Sequence, residues 1–542
     1  MPRYEEYDEA RAAFEWDLPE EFNPAVDFLR KHDDPDAVAL YQKYSDGRTE
    51  TFSFRDLDVR SNRLASAFDD LGIEPGDRVG VVVPQKPENP TTHLANWKVG
   101  AVSVPLTVLF GRDALEYRLT DSGAKAVVVD ASVREEVEAV RDDCPDLEHV
   151  VEVDGDAGGD AHDFDELLAG RQDSYEVYDS TPDTPTAIMY TSGSTGPPKG
   201  VLHSHALWLG RAAAAYNYFD QGLRDAVVWT PADWAWGAAL GGTLFAAWHH
   251  GSAVVGFPRE GFDADETFSL LEEFGVTRAF LPPTALRMLM EVEDPTARYD
   301  LDLETIASVG EPLTPEIVEW VDEAFDGVPV NEFYGQTELN LVVGNSSTWF
   351  ETRPGSMGKV FPGYDLAILD SDTGEERAPG EVGEIALKPH DESVFFDEYW
   401  GKPEKTAEKQ LGEWYLTGDL AERDEDGYVW FKSRSDDVII TSGYRVGPTE
   451  VERAILEHPA VQQAGVIGVP DDTRGEIIKA FVEPVGEVDD PGGLREEIRQ
   501  TVRDRLAEYE YPREIAFVNR LPQTSTGKIQ RLKLREREDA EE

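Results

Sequence analysis

The sequence predicts an α/β protein: a large first domain of layered, mostly parallel sheets, followed by a small mobile α+β domain. Three observations lead there. First, the chain has 542 residues, more than one hydrophobic core organises, so two or more domains are expected. Second, helical and strand patterns alternate through the first four hundred residues, the signature of parallel strands joined by helices. Third, the pattern changes near residue 432, where a strand-rich stretch begins. The boundary is set at 434/435, giving domains 1–434 and 435–542.

The elements follow in order. "FRDLDVRSNRLASAFDDLG" from Phe54 has apolar residues at helical spacing and a glycine stop. "DRVGVVVP" reads as a buried strand, "HLANWKVGAVSVPL" as helix, turn and strand, and "AKAVVVD" as a further strand. "DGDAGGDAHDFDE", Asp154 to Glu166, reads as an acidic surface loop. The apolar run "GAALGGTLFAAWHHGSAVVGF" from Gly237 is interrupted by His249 and His250. A buried helix and strand explain it better than a membrane span. In the last domain, "QQAGVIGVPDD" and "KAFVEPVG" read as strands and "PGGLREEIRQTVRDRLAEYEYP" as an amphipathic helix, with the charged tail "LREREDAEE" expected to fray.

Composition narrows the function. Apolar content of 40% and aromatic content of 10% describe a globular protein. With 109 acidic against 50 basic residues, the net charge is −59. Such a surface repels nucleic acid and anionic lipid. It is read as adaptation to high salt, where a screening length of about 3 Å at 1 M mutes self-repulsion. The single cysteine, Cys144, excludes an intrachain disulfide and fits a reducing cytoplasm. The acidic start has no apolar core, so no signal peptide is expected.

The chemistry is concentrated in "MYTSGSTGPPKGVLHSH", Met189 to His205. Glycines let backbone amides approach a phosphate, hydroxyls add donors, and a lysine adds charge. The Walker loop is the competing reading. It fails, because Pro198 precedes Lys199 and Gly200 follows it, leaving no metal-binding hydroxyl. "STGKIQ" fails likewise, since Ile529 follows Lys528.

The chain resembles the adenylate-forming enzymes: acyl-CoA synthetases, adenylation domains of peptide synthetases, and luciferases. "YTSGSTGPPKG" resembles their phosphate loop, and further motifs follow in order: "SVGEPL", "NEFYGQTE", "YLTGDLA", "SRSDDVIITSGYRVGPTEVE" and "LPQTSTGKIQR". The resemblance covers essentially the whole chain. It implies attack of a carboxylate on ATP, giving acyl-AMP and pyrophosphate, and then displacement of AMP by the thiol of coenzyme A.

It also implies roles. Thr191, Ser192, Gly193, Ser194, Thr195, Gly196 and Lys199 would hold the β- and γ-phosphates. Gly310, Glu311 and Pro312 would form the adenine turn. Glu332, Phe333, Tyr334, Gly335 and Gln336 would line the nucleotide and acyl pockets. Thr337 would touch the α-phosphate and Glu338 would hold Mg²⁺. Asp419 would accept the ribose hydroxyls, with Arg434 beside it and Arg445 on phosphate. Lys528 would bridge the attacking carboxylate and the α-phosphate. Asp436 falls at the hinge between two orientations of the small domain, one presenting Lys528 and the other the Gly443 segment to coenzyme A. His458, in "EHPAV", resembles a cation site; a helix-capping role is the alternative.

The chain ends shortly after Lys528, so no carrier domain is expected, and coenzyme A ligation is favoured over a peptide-synthetase module. A nonenzymatic nucleotide sensor is the reading from another class. "PQTSTGK" further resembles a site at which acetyltransferases and deacetylases modify related ligases, through Lys528. Acetyl-CoA synthetases carry "WWQTE" where this chain has "FYGQTE". The missing indole at Gly335, with Trp236 as another wall, predicts a short- to medium-chain acid larger than acetate. Acetate, propionate and aromatic acids are the alternatives.

Overall fold

The computed structural model describes the chain apart from residues 1, 156, 192–196, 260, 311–312, 372, 436, 442–443, 472–474, 487, 489, 507–509, 524–527 and 542, and apart from the side chains of 440, 444, 445, 475, 504 and 539–541. Two large sheets dominate. One has eight strands, in the spatial order Phe396–Tyr399, Lys199–Ser204, Pro185–Thr191, Val102–Pro105, Arg78–Val82, Ala124–Asp130, His149–Val153, His162–Asp163. Its pairings are parallel except those made by Lys199–Ser204, which runs antiparallel to both neighbours. The other has nine strands, with a parallel run from Val38–Lys43 to Val330–Gln336 and antiparallel strands at both ends.

Local chemistry starts and stops the elements. The helix Phe54–Asp70 opens with a capping box, in which Ser53 and Asp56 satisfy each other's free backbone N–H groups. The valine-rich strands Arg78–Val82 and Ala124–Asp130 are almost wholly buried, as parallel strands covered on both faces must be.

The largest core lies around the helix Ala206–Tyr218, which is buried along nearly its whole length. It packs on a short π-helical segment, Leu240–Phe245, flanked by helical turns. Glycines make that contact close. A β-carbon at Gly241 would stand 3.0 Å from Arg211 Cγ, and one at Gly242 2.6 Å from the Tyr218 hydroxyl. Trp97, Trp208, Phe245 and Phe28 stack edge-on and face-on beneath this contact. The apolar run from Gly237 is therefore core helix followed by the strand Ala253–Gly256. Among the described residues no helix is long and apolar enough to cross a membrane.

Beyond these lies a five-stranded antiparallel sheet, Tyr364–Leu369 to Val429–Arg434, and then a second five-stranded sheet formed after residue 438. That last sheet packs against the helices Pro448–Leu456 and Pro491–Arg505 around its own apolar cluster. Two readings of the sequence are corrected. The tail is a helix, Arg531–Glu541, because Leu534 is buried among Ile467, Phe481 and Leu521 while Arg535 pairs with Asp437 and Lys479 with Glu538. The acidic stretch Asp154 to Glu166 ends in a short strand and the start of the helix Phe164–Leu168, anchored by buried Phe164.

Candidate active site

The strand Pro185–Thr191 and its antiparallel neighbour Lys199–Ser204 pair Thr191 with Lys199 across the base of the glycine-rich loop. Ser192, Gly193, Ser194, Thr195 and Gly196 lie outside the described residues. Lys199 Nζ sits 4.3 Å from the centre of the Tyr399 ring. Burial pulls its ammonium below the usual lysine value, and the Glu338 carboxylate opposes that shift. The Tyr399 hydroxyl donates to Glu338 Oε1 at 2.7 Å. Tyr399 therefore holds the loop lysine with its face and the acid with its hydroxyl. Sequence reasoning missed it, because "FDEYWGKPEKT" matches none of the motifs and lies some sixty residues from Glu338.

The strand Val330–Gln336 delivers the second group. Tyr334 Oη and Gln336 Nε2 both donate to Asp419 Oδ2, each at 2.7 Å, and Gln336 Nε2 also reaches the Thr417 carbonyl at 2.9 Å. Asp419 is buried and faces Arg434 at 4.0 Å, its pairing partner on the neighbouring strand. Two motifs more than eighty residues apart thus converge on one carboxylate. Phe333 is buried and stacks on Tyr218 at 4.1 Å, so it is core rather than lining.

Gly310, at φ +111, turns the chain after the strand Thr305–Ser308; Glu311 and Pro312 lie outside the described residues. Glu332 is buried, and desolvation pushes its carboxyl up to about 7, opposed by Arg453. Arg453 belongs to the helix Pro448–Leu456, so the charge that Glu332 senses comes from the last part of the chain. Lys432 makes a similar link to Glu450 at 3.1 Å. Asp436 and Gly443 lie outside the described residues, as does the side chain of Arg445. Lys528 is exposed, beside the bridge between Gln523 and Ile529. His458 follows the helix Pro448–Leu456, its Nδ1 accepting from Ala460 N at 3.2 Å and its Nε2 3.5 Å from Glu497. Among the described residues, no group of three or more His, Cys, Asp or Glu side chains forms a metal cluster.

The acyl-side residues need one correction. Trp236 is half-buried at the start of the segment Gly237–Ala239, whereas Trp234 is fully buried core. Gly335, by contrast, does not border open space along its side-chain direction. A β-carbon there would stand 2.1 Å from the Asn340 carbonyl oxygen and 2.8 Å from Leu341 Cα. The hairpin with Asn340–Gly344 is bulged at this point, which aims residue 335 at its own partner strand. An indole at 335 would have to displace backbone before reaching any pocket.

Comparisons with known proteins show the family. The AMP-binding enzyme family matches residues 29–396, and its C-terminal domain matches residues 450–528. The mitochondrial acyl-coenzyme A synthetase ACSM3 of Mus musculus is 34% identical, over 99% of this chain and 94% of its own. Acetyl-coenzyme A synthetase of Bacillus subtilis is 38% identical, over 94% of this chain and 89% of its own. Among solved structures, the anthranilate CoA ligase AuaEII with anthranoyl-AMP superposes with a TM-score of 0.89 at 30% identity, covering 97% of this chain and 98% of that one.

Proposed function

This chain belongs to the AMP-binding enzymes as an AMP-forming acyl-CoA synthetase, and we propose that its acid is a short- to medium-chain one larger than acetate. ATP, coenzyme A and a carboxylic acid are the substrates of the family reaction. The carboxylate attacks the α-phosphorus, pyrophosphate leaves, and the thiol then displaces AMP from the acyl carbon. The observation that carries the reading is the convergence of Lys199, Glu338, Tyr334, Gln336 and Asp419, from three strands and one turn, on one site. Cations and oriented donors there offset the charge of a carboxylate meeting a triphosphate.

In this proposal Lys199 and the loop before it hold the outer phosphates, and Asp419 takes the ribose hydroxyls by exchanging its Tyr334 and Gln336 donors. Glu338 offers a hard carboxylate oxygen beside the loop lysine, which fits Mg²⁺. Mg²⁺ there would neutralise phosphate charge. Lys528 acts when residues 435–542, read as a lid domain hinged at Asp436, present it to the α-phosphate. Its exposure leaves it open to acetylation, which would remove its charge. The size preference rests on half-buried Trp236 as a wall, not on Gly335, whose side-chain direction is closed by the Asn340 and Leu341 backbone. Anthranilate and benzoate ligases stand among the similar structures, so an aromatic acid is the second reading. A cytoplasmic setting and adaptation to salt complete the proposal, on the single cysteine and the charge of −59.

The test is AMP release from ATP, Mg²⁺ and coenzyme A with acids from acetate to octanoate and benzoate, from low salt to well above about 1 M, where screening is short. Activity that peaks beyond acetate and needs salt is expected. A preference for acetate would overturn the substrate reading, and full activity without added salt would overturn the salt adaptation.

A further inference from the structure

The helix Ala206–Tyr218 carries an arginine that the reading above does not use. Arg211 is 2% exposed, yet it makes no hydrogen bond or ion pair among the described residues, and its Nε is buried without a partner. The ionisable groups that sense its charge are the phenols of Tyr218 and Tyr364, which are neutral, and His203. Burial lowers the guanidinium only to about 10, so it stays charged at neutral pH. An isolated buried cation is costly unless something anionic completes it.

Its position says what completes it. The stem packs on Gly241, and Nη2 would stand 3.6 Å from a β-carbon at Gly237, the residue after Trp236. Gly237 and Ala238 are half-exposed, so solvent reaches this face. Buried His203, which senses the Arg211 charge, lies against the Thr337 backbone, its ring nitrogens making no hydrogen bond of normal geometry among the described residues. Arg211 thus neighbours Trp236–Gly237, the acyl wall of the proposed function, and, through His203, Thr337, its α-phosphate residue. An acid spanning those two points carries its carboxylate at the Thr337 end, and the family reaction guarantees that one anion.

We propose that Arg211 binds the carboxylate of the acid substrate before adenylation, holding it beside Thr337 with its chain toward Trp236. The inference rests on the site reading above. Arg211 is a binding residue for the acid alone; the nucleotide is held by other groups.

The experiment measures ATP–pyrophosphate exchange by wild type, Arg211→Met and Arg211→Lys, using the acid that the wild type turns over fastest in the panel. The carboxamide of that acid serves as a competitor, and melting curves check folding. Losing one partner of a buried charge pair predicts an acid KM raised about thirtyfold or more in Arg211→Met. The KM for ATP should stay within about twofold, thioester formation from supplied acyl-AMP should persist, and Arg211→Lys should recover part of the loss. The neutral carboxamide should inhibit wild type and Arg211→Met alike. An unchanged acid KM overturns the proposal. So does a parallel rise of both KM values with a lower melting temperature, which marks a structural role. So does a loss confined to acids with a second polar group, which would place Arg211 at the acyl tail. Failure of the site reading would look different: the wild type itself would release no AMP in response to any acid.

Discussion

Replacing Gly335 by alanine tests the geometry of the motif strand directly. The new methyl would stand 2.1 Å from the Asn340 carbonyl oxygen and 2.8 Å from Leu341 Cα, where optimal non-bonded separations are about 3.5–4.0 Å. Both opposing atoms are backbone, so no side chain can swing away. The strand Asn340–Gly344 would have to shift by more than about an ångström, and overpacking of this kind costs about 1–3 kcal/mol. The shift also disturbs Tyr334 and Gln336, which flank residue 335 and both donate to Asp419. The expected result is a lowered melting temperature together with a raised KM for ATP. Tryptophan at 335 should be worse on both counts rather than turning the enzyme toward acetate. Thermal melting and ATP–pyrophosphate exchange on the two variants provide the assay. Wild-type melting and ATP affinity in Gly335→Ala would refute the backbone argument. A stable Gly335→Trp enzyme that prefers acetate would restore Gly335 as a pocket floor.

Two further outcomes follow from particular residues. Lys528→Ala should abolish acid-dependent adenylation yet retain thioester formation from supplied acyl-AMP, and equal loss of both half-reactions would count against two lid orientations. Burial raises the Glu332 carboxyl from an ordinary 4.5 to about 7, so its contribution to stability is fully present below about pH 4.5 and is lost as pH rises through about 7. The melting temperature of wild type relative to Glu332→Gln should decline across that window; a flat difference would show that Glu332 is not held in its neutral form.

The order of motifs was legible because each is local: glycines, hydroxyls and a lysine within a dozen residues, or a carboxylate inside a short turn. Strand and helix alternation was equally legible, since periods of two and 3.6 are properties of contiguous sequence. Separate roles for "YLTGDLA" and "NEFYGQTE" followed from resemblance; that Tyr334 and Gln336 both donate to one Asp419 oxygen is what the structure adds. What the tertiary structure alone decided lies in contacts between distant segments. Tyr399 looks like any aromatic in its own stretch and becomes informative only when Lys199 and Glu338 arrive on either side of it. Arg211 lies in an alanine-rich helix, and nothing local shows that no carboxylate will face it. The direction of residue 335 depends on a bulge in its hairpin, and the charged tail is helical because Leu534 finds an apolar site on the last sheet. Sequence fixes which chemical groups are present and their local periodicity; burial and charge pairing are sums over neighbours that only the folded chain brings within reach.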